Sequence, residues 1–406
     1  SSILFMAQRD RKFALNLFWA WWWPLILLGF PLVGRVWCAV CPFMIYGELT
    51  QTLSLKLFPR QLKPWPRQSA EQWGGWFLFG MFALILLWEE LWNLENTAYL
   101  SACLLLLITA GAMIFSAIFE RRFWCRYLCP IGGMNGLFAK LSLTELRAQQ
   151  GTCSAECTTY QCYKGGPEKG EGQATNGCPL YSHPAQLEDN RDCVLCMTCL
   201  KACPHRSVEL NLRPPGIELW TTHVPRPYEV ALLFLLLNAV FLHHLPDLVA
   251  WLPFSVDLNN FWQHSAIAIA ALALPTLVPL IAHGGLQLFS QFQRQLKPRR
   301  FVELAYGYLP LALAANLAHY LPLGLGEAGK ILPVAAITFG FTGVGLPTLV
   351  AHPAAIAFLQ GSLLLLGILL AMVLTPKIAR QPLKFLLPQH LSAVILGWGL
   401  WQLAVH

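Results

Sequence analysis

The residues best suited to chemistry lie in Cys193-Val194-Leu195-Cys196-Met197-Thr198-Cys199-Leu200-Lys201-Ala202-Cys203-Pro204. Three cysteines at i, i+3 and i+6, a fourth four residues on, and then proline is the spacing that wraps a [4Fe–4S] cube. The tight arc gives one cube three thiolates, and the cysteine before proline reaches a neighbouring cube. A zinc ribbon uses two separated C-x2-C pairs instead. A wider set precedes this run: Cys153, Cys157 and Cys162, then Cys178-Pro179. Exchange of the two Cys-Pro ligands assigns one cube Cys153, Cys157, Cys162 and Cys203, and the other Cys178, Cys193, Cys196 and Cys199. Two other arrangements compete: zinc in the widened half, or Cys178 closing the first site in place of Cys203.

Two further pairs stand upstream. Cys38-Ala39-Val40-Cys41-Pro42 follows Gly34-Arg35, and Cys125-Arg126-Tyr127-Leu128-Cys129-Pro130 follows Arg121-Arg122. They form an internal repeat: aromatic-Cys, a short gap, Cys-Pro, an apolar residue, then a helical segment. Four soft thiolates gathered from Cys38, Cys41, Cys125 and Cys129 suit a third iron–sulfur centre or copper. A close pair beside arginine can instead cycle between dithiol and disulfide, and thiols that pack helix ends do no chemistry. Cys103, alone among leucines, reads as a buried inert thiol.

These residues need a scaffold, and composition names its class. Of 406 residues 56% are hydrophobic and only 12% charged, where soluble domains carry about 25% charged residues. That balance is a membrane protein's. The net charge is +7, but the basic residues sit at the ends of apolar runs, not in one stripe. This fits charge-biased loops and excludes a nucleic-acid partner. Thirteen cysteines, most of them in tight groups, argue for metal ligation on a reducing face rather than disulfides. The chain opens on Ser1-Ser2 rather than Met, as one whose natural start lies upstream would, and has no cleavable signal-peptide pattern.

Apolar runs at Phe13–Val33, Trp73–Trp92 and Thr97–Phe119 are long enough to cross a bilayer. Residues 43–58 read as an interfacial helix. Further spans are expected near 229–252, 262–287, 303–323, 353–375 and 386–404, about eight in all. Residues 331–351 contain Gly340, Gly343, Gly345 and Pro347. They read as a broken or re-entrant segment, tolerated only when buried against protein; a full crossing there would make nine. Residues 145–220, with Gly165-Gly166-Pro167 and Glu168–Gly172, are polar and cysteine-rich, and no span fits. The expected fold is therefore a mainly α, polytopic helical bundle with an inserted two-cluster ferredoxin-like domain. Residues 1–144 form a membrane domain with both Cys-Pro boxes, 145–220 the iron–sulfur lobe, and 221–406 a second membrane domain. Lys and Arg at 35, 56, 60, 63, 67, 121, 122, 126 and 140 put boxes and lobe on the cytoplasmic or stromal side of a bacterial inner or thylakoid membrane.

Histidine supplies a second handle. His243, His244, His264 and His319 fall near the outer ends of the fourth to sixth expected spans, and intramembrane imidazoles are rare and functional by default. A pair from different helices can hold a b-type haem, and one can accept a quinol proton. Interfacial histidines touching water give the same pattern.

The paired Cys-Pro boxes around membrane helices, followed by a two-cluster lobe, resemble the NosR/NapH/CcoG group of membrane polyferredoxins over residues 13–210. Cys125, Cys129 and Pro130 match that group's C-x3-C-P box; Cys38, Cys41 and Pro42 match it one residue short. The resemblance implies electron transfer between the quinone pool, cytoplasmic iron–sulfur centres and a partner reductase, within a larger membrane complex. One branch is implicated in copper reduction. Three functions are thus in view: a one-electron relay, a copper or other metal-ion reductase, and a transporter or assembly subunit with structural clusters. Segment 331–351 favours the last, since interrupted helices line transport paths.

Overall fold

A computed structural model describes residues 11–166, 173–253, 255–292 and 297–405; the stretch 168–172 lies outside the described residues. The chain divides into two compact units. One is Ser1–Leu28, Met81–Leu105 and Pro225–His406; the other is Gly29–Gly80 and Leu106–Val224. Both Cys-Pro boxes and all of residues 145–220 belong to the second.

Among the described residues six helices are long and apolar enough to cross a membrane. They are α1 (Phe13–Val33), α3 (Arg67–Trp92), α4 (Ala98–Ile118), and the stretches Phe261–Leu288, Phe301–Thr338 and Pro353–Ala379. The second apolar run gains a polar first turn because Pro66 stands directly before a helix-compatible Arg67–Gln72, and proline is well placed at a helix entrance. The interfacial segment forms α2 (Pro42–Leu57). The expected span 229–252 is shorter than the apolar pattern suggests. Helix Pro227–His243 stops at His244, and Leu245–Ala250 starts afresh with Pro246 in its first turn, because proline cannot continue a helix interior. The last helix is Leu387–Ala404. The broken segment is half helix: Ile331–Thr338 is helical, and the chain then runs irregularly to His352, with Gly340 and Gly345 at positive φ. Cys103 corrects its expectation. It is exposed on α4, because it falls on the outward face of that helix.

Within the first unit, Pro227–His243 is the central helix. Residues Val230 to Leu242 are buried apart from Ala231, as a helix apolar on every side must be. In the second unit, β1 (Thr144–Ala148) pairs antiparallel with β2 (Val208–Leu212), from Thr144↔Leu212 to Ala148↔Val208. Short helices Gln150–Ala155, Gln161–Lys164 and Thr198–Ala202 lie between the strands in sequence. Period-two alternation turns Leu146, Ala148 and Val208 into a core that also contains Cys162, Leu195, Cys199 and Cys203. Each large apolar side chain so buried contributes about 1.5–3 kcal/mol.

Candidate iron–sulfur site

The lobe has a cavity lined by four thiols: Cys178, Cys193, Cys196 and Cys199. Leu146, Leu180, Pro184, Val194 and Leu195 make much of its remaining wall apolar. The loop reaches this shape through strained backbone. Leu195 and Met197, on either side of Cys196, both take left-handed φ, 50° and 59°, a conformation that non-glycine residues keep only when the surroundings enforce it. Enforcement comes from buried charge just upstream. Lys140 Nζ lies 2.5 Å from Asp189 and 3.2 Å from His223 Nδ1. The Asp189 carboxylate caps the turn 190–192 by accepting from Arg191 N–H at 2.9 Å. Glu218 accepts the Asn190 N–H at 3.0 Å and pairs with Arg147 and Arg213. The chain therefore enters Cys193 in a fixed direction.

The other lobe cysteines form a second group. Ser207 Oγ stands 3.5 Å from the sulfurs of both Cys153 and Cys203, which brings the distant Cys-Pro thiol beside the widened half. Burial pushes the Cys162 thiol up to about 12, and Cys203, Cys157 and Cys153 oppose its ionisation further. Burial likewise pushes Cys193 up to about 11 and raises Cys199, which also feels Cys193, Cys178 and Cys196. Crowded neutral thiols of this kind lose their protons to a metal, since the bound ligand is the thiolate.

The four Cys-Pro pairs share a construction that spacing alone did not reveal. Cys41 and Cys129 are the N-cap residues of α2 and of the helix Pro130–Phe138, each with proline at the first helical position. Proline has no N–H and its φ suits a helix start, so the next free N–H groups turn to the cysteine sulfur. Gly132 N–H donates to Cys129 Sγ at 3.4 Å, and the Met44 and Phe43 backbone serves Cys41. In the lobe, Ser182 N–H donates to Cys178 Sγ at 3.3 Å, and backbone groups at His205, Ser207 and Val208 serve Cys203. Burial raises the Cys203 thiol, but those bonds and the Ser207 hydroxyl leave it below its usual value.

Cys38, Cys41, Cys125 and Cys129 form a third group. Burial pushes Cys129 up to about 12, and Cys38 and Cys41 add to it; burial raises Cys125, and Cys129 and Cys38 raise it more. Asn135 Nδ2 donates to Cys38 Sγ at 3.1 Å, and Arg35 Nη2 approaches the same sulfur at 3.9 Å. Cys38, Cys41 and Cys125 share an apolar cluster with Cys178 and Cys196, so the box group adjoins the cavity group. The box arginines tie this region together through carbonyls. Arg121 donates to Tyr163 O and Cys178 O at 2.7 and 2.6 Å, Arg122 to Cys38 O at 2.8 Å, and Arg126 to Leu180 O at 2.5 Å. Among the described residues no three His, Cys, Asp or Glu side chains could hold a single metal ion. A cube has a different requirement, four thiolates on four separate irons, and gathered cysteines with N–H and hydroxyl donors to sulfur suit it in kind. Asn135, Ser207 and His183, whose Nε2 is 3.9 Å from Cys162 Sγ, were not singled out from the sequence, and Arg35 was counted for membrane orientation and not as a partner of Cys38. The Gly132-x3-Gly136 pair was the available hint for Arg35, since such spacing marks a close approach.

The histidines behave differently. His243 and His319 stack face to face, 4.5 Å between centroids and 10° apart in plane. His319 Nδ1 is 3.4 Å from His244 Nε2, and His244 Nδ1 is 3.6 Å from Asp247. His264 stands apart from them and pairs with Glu90 at 3.1 Å. Stacked rings do not present two nitrogens across a gap, as axial haem ligands would. Tyr306 donates to Glu229 at 2.6 Å, and Tyr308 to Gln389 at 2.6 Å.

Residues 15–61 and 102–147 match the 4Fe-4S binding domain family, and each matched segment contains one Cys-Pro box. The chain is 26% identical over 228 residues to the ferredoxin-type protein NapH of Haemophilus influenzae, 51% of this chain and 72% of that protein. It is 26% identical over 179 residues to an uncharacterised protein of Methanocaldococcus jannaschii, 44% of this chain and 64% of that protein. It is 25% identical over 193 residues to the protein NirI of Paracoccus denitrificans, 44% of this chain and 26% of that protein. The chain thus spans less than two thirds of the length of the last two relatives. No solved structure matches it.

Proposed function

We propose that this chain, similar to ferredoxin-type proteins such as NapH, is a membrane polyferredoxin that relays single electrons between iron–sulfur centres on the cytoplasmic side of the membrane and a quinone-linked site or partner reductase. Iron–sulfur clusters supply reversible one-electron chemistry when bound. In this reading Cys153, Cys157, Cys162 and Cys203 hold one cube, Cys178, Cys193, Cys196 and Cys199 a second, and Cys38, Cys41, Cys125 and Cys129 a third. About eight helices anchor the chain, and it works as a subunit of a larger membrane complex.

The observation that carries this reading is the cavity whose wall contains Cys178, Cys193, Cys196 and Cys199 together. It is supported by the apolar cluster that joins two of those cysteines to Cys38, Cys41 and Cys125. The residues around the sulfurs have separate tasks. Lys140, Asp189 and Glu218 fix the backbone that enters the cysteine run, Leu180, Leu195 and Val194 exclude water, and N–H donors stabilise thiolate charge. Iron and acid-labile sulfide per chain, measured anaerobically together with EPR of the reduced protein, test it. About twelve irons means three cubes and about eight means two, at four per cube. Colourless, iron-free protein would sink the reading.

A further inference from the structure

We propose that Arg35, with Asn135 and the first turns of α2 and of the helix Pro130–Phe138, makes the box group the electron sink of this chain, the site with the highest midpoint potential of the three. The inference rests on the reading above that each of the three groups holds a cube. A cube on four thiolates is anionic, and reduction adds one negative charge. Nearby positive charge and N–H donors to sulfur therefore raise its potential.

The three groups differ sharply in what faces their sulfurs. At the boxes Arg35 is only 2% exposed. Its guanidinium lies 3.9 Å from Cys38 Sγ and 3.3 Å from Cys125 O, and it is held in place by the Arg191 carbonyl. Asn135 Nδ2 adds a donor to Cys38 at 3.1 Å, and Gly132 N–H one to Cys129 at 3.4 Å. Cys41 and Cys129 each cap the positive end of a helix of at least two turns. The fold leaves room for the cation. A Cβ at Gly132 would meet Cys125 O at 2.8 Å and Arg35 Nη2 at 3.5 Å, and one at Gly136 would meet Arg35 Nη1 at 3.3 Å. Asp192 also faces Arg35, but shares its charge with Arg126 at 3.4 Å and Arg191 at 4.0 Å.

The cavity group has a less positive setting. Asp192 is part of its wall; its donors are the Ser182 and Leu180 backbone at Cys178, the Leu195 backbone at Cys193 and the Thr198 hydroxyl, 3.2 Å from Cys196 Sγ; Arg121 is engaged by the Tyr163 and Cys178 carbonyls, and Arg147 is already paired with Glu145 and Glu218. Around Cys153, Cys162 and Cys203 the side-chain contacts to sulfur among the described residues are the Ser207 hydroxyl and His183; backbone groups at His205, Ser207 and Val208 serve Cys203, and no arginine is set against these sulfurs as Arg35 is against Cys38. Burial of the box group disfavours added charge, but the same low dielectric strengthens the pull of Arg35. An electron held in the lobe therefore equilibrates onto the boxes; one electron moves, and no bond or proton changes.

The test is an EPR-monitored redox titration of the full chain in detergent, poised anaerobically with dithionite and mediators, with iron counted on the same samples. Loss of one signal in Cys129→Ser assigns the box group. That signal should be the first to appear as the potential falls. Arg35→Gln should cut the box group's share of the first electron about tenfold, a shift of about 59 mV for one electron. Arg35→Lys should restore part of it, and Asn135→Leu should give a smaller shift of the same sign. If Arg35→Gln loses iron, Asn135→Leu decides. A box signal that appears last, or potentials unmoved at full iron content, overturns the inference alone. About eight irons in the unaltered protein removes the premise and the inference with it.

Discussion

The cysteine-bearing unit and the histidine-bearing unit place their reactive side chains in opposite ways. In the first, sulfur is positioned by irregular backbone. Leu195 and Met197 sit at left-handed φ, and Arg121, Arg122 and Arg126 grip carbonyls far along the chain. In the second, the imidazoles sit at the ends of regular helices and rest on one another, as His243 does on His319. Backbone distortion with buried charges to hold it is costly and persists where something must be held. Stacked rings at helix ends need no such support. The difference sets thiols positioned by irregular backbone and buried charge apart from imidazoles that pack on one another.

Breaking that contrast would show most clearly at the cavity. Cys196→Ala should remove about four irons per chain and one EPR signal; an unchanged spectrum rejects the ligand assignment. Next in size is the charged frame behind the cysteine run. Lys140→Met leaves Asp189 buried without its ammonium and should cost about 3–5 kcal/mol, read as a lowered unfolding midpoint in detergent with loss of iron. Gly177→Ala should cost about 1–3 kcal/mol, because Gly177 has φ +75° and an added Cβ would strike the Tyr163 carbonyl; thermal denaturation measures it. The smallest effect belongs to the imidazoles. His319→Phe keeps a ring against His243 and loses the bond to His244, about 1 kcal/mol, with iron content unchanged. Iron loss in that variant would erase the distinction between the two units.

The iron–sulfur character was legible because ligand spacing is a local property: Cys193 to Cys203 lie within one short stretch. The long apolar runs were legible for the same reason. What could not be read was carried by contacts between distant residues: Arg35 against Cys125, Ser207 against Cys153, Lys140 against Asp189. Arginines counted for membrane orientation turned out to bind carbonyls as well. The exposure of Cys103 depended on which face of α4 meets protein, and leucine on every side hides that face. The halt at His243 was visible in Pro246, but hydropathy outweighed it.

The four box thiols come from positions as far apart as Cys38 and Cys129, and Cys153 and Cys203 are also widely separated. Any inorganic centre they share therefore acts as a cross-link that closes long loops, and its removal restores the entropy of those loops to the chain. Air damage to such a protein is then mechanical as well as electronic: a bleached sample should become newly sensitive to proteases between residues 145 and 220, even where every peptide bond and every helix is still in place.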